Sequence, residues 1–154
     1  MKKFSNPPII RPATPADAAA VAECVKAAFS LYIERIGKPP APMLLDFPAV
    51  ISAGQAWVGE LDGHVVGALV QYETDEGFYI DTVAVLPASQ GRGIGRALLE
   101  CAESEARRRG YQSLYLCTNV KMTENQVLYP QIGYVEYERK FDQGYERIFY
   151  RKQL

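Results

Sequence analysis

Histidine is nearly absent from this chain: His64 is the only one in 154 residues. Chemistry built on a partnered imidazole, such as a Ser-His-Asp arrangement, therefore has almost nothing to work with. His64 follows Leu61-Asp62-Gly63, a hairpin signature, which places it beside a turn. Cysteine is sparse as well. Cys24, Cys101 and Cys117 are odd in number and form no Cys-x-x-Cys pair, so buried free thiols are expected and a structural zinc site is not. No excess of one charge exists either. The 17 Lys and Arg against 18 Asp and Glu offer no electrostatic footprint for nucleic acid or an acidic membrane surface. No apolar run approaches the roughly 20 residues of a membrane span. The start, Met-Lys-Lys-Phe-Ser-Asn-Pro-Pro, lacks the apolar core of a signal peptide. These absences predict one cytoplasmic domain over residues 1–154, with its core at about 8–152 and no metal, nucleic-acid or membrane partner.

What the chain does have is concentrated in residues 83–99, Val-Ala-Val-Leu-Pro-Ala-Ser-Gln-Gly-Arg-Gly-Ile-Gly-Arg-Ala-Leu-Leu. Residues 78–86 are β-branched and aromatic enough for a buried strand, which Pro87 stops. Gly91, Gly93 and Gly95 then recur at every second position, a pattern that neither a strand nor a helix interior favours. From Ile94 the apolar positions Ala97, Leu98, Cys101 and Ala102 follow one helical face. Strand, glycine-rich turn and helix make an anion site. Unpaired amides lie at the positive end of the helix dipole, with Arg92 and Arg96 beside them, and phosphate or pyrophosphate is the usual occupant.

Spacing separates three motifs of this kind. A Walker A loop ends in Gly-Lys-Ser/Thr, and no such triplet follows these glycines. A Rossmann fingerprint needs G-x-G-x-x-G directly after the strand, whereas here the order is G-x-G-x-G. The remaining match is Gln-x-x-Gly-x-Gly, as Gln90, Gly93 and Gly95, preceded by Val-Ala-Val-x-Pro.

The rest of the chain reads in order. Residues 9–11 form a strand, and Thr14-Pro15-Ala16-Asp17 starts a helix that reaches residue 36, ended by Gly37. Lys38-Pro39-Pro40-Ala41-Pro42-Met43 is either a stiff connector or a rigid loop over a pocket mouth. A short helix at 46–52 precedes a hairpin of 56–60 and 65–72. Helix 94–109 ends in three arginines and Gly110, strand 113–117 follows, and then helix 124–132. Strands 134–140 and 147–151 pair around Asp142-Gln143-Gly144. The fold expected is α+β, a mixed, mostly antiparallel sheet of about seven strands flanked by about four helices.

The 90–95 motif resembles the acyl-CoA pyrophosphate loop of the GNAT superfamily of N-acyltransferases. A second stretch, Leu128-Tyr129-Pro130-Gln131-Ile132-Gly133-Tyr134, is similar to that family's Leu-Tyr-x-x-x-Gly-Phe/Tyr. The resemblance covers nearly the whole chain and implies a GNAT-like fold. One position departs: the asparagine usual six residues before the leucine is Met122, with Asn119 and Asn125 flanking it. The resemblance implies a splay between strands 78–86 and 113–117, with acyl-pantetheine paired to the backbone of Val83, Ala84 and Val85. Pyrophosphate would rest on the turn of Gln90, Gly91, Arg92, Gly93, Ile94, Gly95 and Arg96, with Asn125 beside the pantetheine arm.

The activity implied is transfer of an acetyl group from acetyl-CoA to a primary amine of a small molecule or peptide. An amine attacks a thioester directly, so no Ser or Cys nucleophile is required. Tyr129 is then the general acid that protonates the leaving thiolate. Asp81, an acid in an apolar strand one alternation from Val83, and Glu73, at the end of the preceding strand, are the candidate bases. Tyr32, Arg35, Met43, Tyr72 and Tyr79 are the candidate acceptor-binding residues. A homodimer is left open. The alternative function is a non-catalytic acyl-CoA-binding sensor; a nicotinamide or flavin enzyme would need the Rossmann spacing that is missing.

Overall fold

Turn chemistry sets most element boundaries in the computed structural model, which describes residues 7–154. Residues 1–6, part of the stretch read for a signal peptide, lie outside the described residues. Strand β1 (Ile9–Pro12) leads to a capping box in which Thr14 and Asp17 satisfy each other's backbone. A 3₁₀ turn at Pro15–Asp17 then opens α1 (Ala18–Phe29). The helix does not run on to residue 36 as the sequence predicts. Ile33 donates to Ser30 in a tighter i→i+3 bond, and a separate α2 (Tyr32–Ile36) begins, closed by Gly37 at φ +90°. That break makes five α-helices among the described residues where about four were expected. After Pro40 the proline-rich stretch forms one 3₁₀ turn, Ala41–Leu44, and Asp46 caps α3 (Phe47–Ser52) by accepting from the Ala49 amide at 3.1 Å.

Strands β2 (Ala56–Leu61) and β3 (His64–Thr74) turn at Asp62 and Gly63, both at positive φ, the geometry that suits the twist of a two-residue hairpin. Then come β4 (Gly77–Val85), α4 (Ile94–Arg108), β5 (Ser113–Asn119), α5 (Thr123–Gln131), β6 (Val135–Asp142) and β7 (Tyr145–Gln153). The seven strands form one sheet in the order β1-β2-β3-β4-β5-β7-β6, antiparallel throughout except where β4 meets β5. The parallel pair needs a crossover, and α4 supplies it. The fold is therefore the mixed α+β sheet expected.

Each sheet face has its own core. α1 and α3 bury Val21, Val25, Phe47 and Ile51 against Val58, Ala68, Val70 and Ala84. On the other face α4 buries Ile94, Leu98 and Ala102 against Leu69, Phe78, Ile80, Leu114 and Ile148. Gly67 sets how closely α4 lies on the sheet: a Cβ there would stand 2.8 Å from Ile94 Cγ2 and 3.1 Å from Leu98 Cδ1. At one edge, Arg11 bonds Asp17 at 2.8 and 3.0 Å and Glu60 at 2.9 Å, tying the start of α1 to β1 and β2.

Candidate active site

Strands β4 and β5 pair over three residues only: Phe78 with Leu114, Tyr79 with Tyr115, and Ile80 with Leu116. Beyond Ile80, β4 continues to Val85 and β5 to Asn119 without pairing to each other. The sheet opens there, as the resemblance implied, into a cleft of about 1000 Å³. Its wall runs from Gln90, Gly95 and Arg96 past Val83, Ala84 and Val85 to Asp81, Tyr129 and the β6–β7 hairpin. Pro40, Pro42 and Leu44 line it too, so the proline segment is the wall of a mouth as well as a connector.

A bulge sits where the opening begins. On β3, Val70 pairs with Thr82 and the next residue, Gln71, pairs with Ile80, which leaves Asp81 as the extra residue of β4. Before it, Phe78 and Ile80 face the α4 core; after it, Val83 and Val85 do, while Ala84 joins the α1 core. Simple alternation would place Asp81 and Val83 on one face. The bulge corrects that reading: it turns the strand over, sending Asp81 toward Tyr72 and Tyr79 and Val83 toward α4.

At the other end, Gly91 and Gly93 both adopt φ +83°, and Gly93 stands immediately before α4. The first bond into that helix is donated by Ala97 to the Gly93 carbonyl at 3.0 Å, so the amides of Ile94, Gly95 and Arg96 precede it, as the first-turn amides of any helix do. A Cβ on Gly91 or Gly93 would meet no protein atom within 4 Å; the space above the loop is open. Gln90 Nε2 donates to the Val85 carbonyl at 3.3 Å and ties the loop to the strand end. The Ile94 side chain belongs to the core, and only its backbone serves the loop. Arg92 and Arg96 are exposed beside it, Arg96 at 3.6 Å from Glu100.

Tyr129 packs its ring on Tyr134 and Tyr150, with centroids 5.6 and 5.8 Å away. Burial pushes its hydroxyl up to about 12. Asp81 accepts from the Tyr72 hydroxyl at 2.6 Å and from Thr82 Oγ1 at 2.8 Å. Tyr72 is raised by burial first and by that carboxylate second. The Tyr79 hydroxyl lies 3.2 Å from Cys117 Sγ. Burial holds the Cys117 thiol above its ordinary value although Arg147 pulls it down, so it is kept as a thiol and not as an attacking thiolate. Asn125 reaches the cleft wall with its amide donating to Thr118 Oγ1 at 2.9 Å.

Tyr32, Tyr72 and Tyr79 line the cleft. Three other candidates lie elsewhere. Arg35 forms a two-pronged bond to Glu124 at 2.8 and 2.9 Å and covers the Tyr32 ring, clipping α2 to α5. Met43 packs on the α1 core. Glu73, next to Tyr72 in the strand, takes the opposite face, 3.8 Å from Arg109, the C-cap of α4. Tyr145 and Arg147 on β7 and Asp142 on β6 line the cleft without having been singled out in the sequence. No local pattern marks them: charged residues flanking the turn of a hairpin at the sheet edge read as a solvated face.

The model of the Acetyltransferase (GNAT) family matches residues 21–134. No curated protein matches the chain. Among solved structures, yncA, a putative acetyltransferase from Salmonella typhimurium with its cofactor acetyl-CoA, is 26% identical, with 97% of this chain and 95% of that one covered at a TM-score of 0.73. A GCN5-related N-acetyltransferase from Rhodopseudomonas palustris is 23% identical over 100% of both chains, with a TM-score of 0.74. The paia N-acetyltransferase from Thermoplasma acidophilum, in complex with coenzyme A, is 13% identical, covers 97% of this chain and 100% of its own, and has a TM-score of 0.76.

Proposed function

Because the chain belongs to the acetyltransferase (GNAT) family, we propose that it moves an acetyl group from acetyl-CoA to a primary amine that attacks the thioester directly. The observation that carries this reading is the opening of β4 from β5 after Ile80 and Leu116, at the Asp81 bulge and in line with the glycine loop. Acetyl-CoA fits the residues present. Open space lies over Gly91 and Gly93, the amides of Ile94, Gly95 and Arg96 suit a pyrophosphate, and the unpaired edge of β4 at Val83 and Val85 suits the pantetheine amides.

The chain's own groups then divide the work. The amine must lose its proton to attack, and Asp81, pinned by Tyr72 and Thr82 on the bulge, is the carboxylate on the cleft wall at the point where the strands part. It holds the ammonium and takes the proton directly or through water. Glu73, on the other face, is not the base in this reading. Tyr129 supplies the hydroxyl for the departing sulfur, and a value of about 12 keeps that hydroxyl protonated at neutral pH. Full transfer to a thiolate of ordinary basicity is then uphill by on the order of 5 kcal/mol. Tyr129 therefore acts chiefly by donating a hydrogen bond to charge that appears only as the C–S bond breaks. Asn125 holds the wall of the pantetheine channel through Thr118. Three free thiols suit a reducing, cytoplasmic setting.

The test pairs calorimetry with turnover. Acetyl-CoA should bind and raise the melting temperature while NAD does neither, and free thiol should appear when a panel of amines and peptides is added. Binding with no thiol release from any amine would leave the chain as an acyl-CoA sensor. No binding at all would end the assignment.

A further inference from the structure

The acceptor end of the cleft has two poles. At one stands Asp81, whose oxygens accept from Tyr72 and Thr82. At the other stands Arg147 on β7, whose side chain is only 12% exposed yet lines the cleft. A guanidinium carries five N–H donors. Arg147 gives one of them, Nη1, to Asp142 at 3.0 Å, and among the described residues its other donors have no hydrogen-bond partner. Its unused nitrogens are not among the buried side-chain atoms left unpaired in the described residues, so they open onto the cleft and are free to take a ligand.

The surroundings add to its sign. Lys38 Nζ lies 4.3 Å from the centroid of the Tyr145 ring and Arg147 Cζ lies 5.5 Å from it, so two cations share one ring against the single Asp142 carboxylate. Tyr145 in turn donates to the Pro39 carbonyl at 2.6 Å, which fixes the proline segment at this end of the mouth. Between the poles sit Tyr79 and Cys117, 3.2 Å apart, both raised by burial and therefore uncharged at neutral pH. The cleft thus offers an anion, an uncharged aromatic span and a cation with spare donors.

We infer that the acceptor is a primary amine that also carries a carboxylate, with its amine at Asp81 and its carboxylate on Arg147. The inference rests on the acetyltransferase reading above and names its substrate class. The step balances as in any aminolysis: the nitrogen–carbon bond forms, the carbon–sulfur bond breaks, the amine proton goes to Asp81 or water, and the sulfur takes one proton. The acetylated product has lost its cationic end, so it no longer pairs with Asp81, and this favours its departure.

The test compares matched acceptors at saturating acetyl-CoA: L-phenylalanine with phenethylamine and L-phenylalaninamide, L-leucine with 3-methylbutylamine and L-leucinamide, and 4-aminobutyrate with butylamine, each scored by thiol release. The carboxamides have weaker bases than the acids, so a preference for the acids does not come from more free amine. A charged hydrogen bond to Arg147 should favour the carboxylated partner by about 10- to 100-fold in kcat/KM. Arg147→Gln should collapse that ratio toward one, and Arg147→Lys should retain part of it. Both acceptors are read on one preparation, so loss of folded protein does not alter the ratio. Equal kcat/KM for acid and amine, or a preference that survives Arg147→Gln, overturns the inference while the acetyltransferase reading stands. Failure to bind acetyl-CoA removes both.

Discussion

At one end the cleft is lined by Gln90, Gly95 and Arg96, where the glycine loop, with Gly91 and Gly93 at φ +83°, presents the amides ahead of Ala97. At the other end it is walled by side chains from four strands: Tyr72 of β3, Asp81 of β4, Cys117 of β5 and Arg147 of β7. The first wall is contiguous in sequence and needs only a turn and a helix start. The second exists only when four strands, the bulge among them, hold their register. A backbone surface is indifferent to most side chains and suits a co-substrate that does not change. A side-chain surface can change residue by residue and suits an acceptor that does.

Tyr129 lines the same cleft, and its loss should have the largest effect. Tyr129→Phe keeps the ring on Tyr134 and Tyr150 and removes the hydroxyl. We expect kcat to fall by about 10²–10³-fold with acetyl-CoA affinity nearly unchanged by calorimetry. Full kcat would leave Tyr129 as packing. The same hydroxyl bears on alkaline stability. Its value in the fold, about 12, exceeds the roughly 10 of an exposed tyrosine, so its contribution is complete below pH about 10 and is lost as pH rises toward 12. Tyr79 and Tyr134 are raised in the same direction by burial. Denaturant midpoints should therefore fall across that window.

Asp81→Asn probes the side-chain end alone. It preserves shape and much of the bonding to Tyr72 and Thr82 while removing the charge. A loss of about 10²-fold or more in kcat/KM for the amine is expected, with no change in acetyl-CoA binding. An equal loss on both sides would mean that the bulge itself had shifted.

Gly95→Ala probes the backbone end. Gly95 lies in the first turn of α4, its added Cβ would meet only Val85 Cγ2 at an ordinary 3.6 Å, and alanine is the better helix former. Stability should rise by about 0.5–1 kcal/mol, while acetyl-CoA binds roughly tenfold more weakly because its phosphates lose close approach to the amides. Opposite signs in melting and calorimetry are the signature. Gly93→Glu is a blunter tool, since φ +83° strains any side chain there.

The smallest effect should come from Arg35→Ala. Its pair with Glu124 is exposed, contributes little and weakens further with salt. The KM for the amine should stay put. A selective rise in that KM would return Arg35 to the acceptor site.

Much of the architecture was legible in local signals. Pro87, the Asp62-Gly63 turn, the Thr14–Asp17 cap and the glycine run each act within a few residues, and the structure places element boundaries close to them. The split of α1 from α2 was not legible, because the stretch through Ser30 and Leu31 holds no proline or glycine and only the Ile33–Ser30 bond reveals the break. Arg35 and Glu73 take contacts the sequence does not announce, because a charge near a site in sequence says nothing of which face it takes or which opposite charge is nearer.

By itself the sequence determined the glycine loop and the helix behind it, since those depend on φ and helix caps that neighbouring residues impose, while the tyrosine motif at 128–134 was read from its resemblance to the family. Tertiary structure alone decided the acceptor end. The one-residue bulge at Asp81 reverses the faces of β4, the pairing of β4 with β5 stops at Ile80, and Asn119 of β5 lies opposite Arg147 of β7. Each is a matter of register between strands distant in the chain, where a shift of one residue exchanges inside for outside, and no local propensity encodes it.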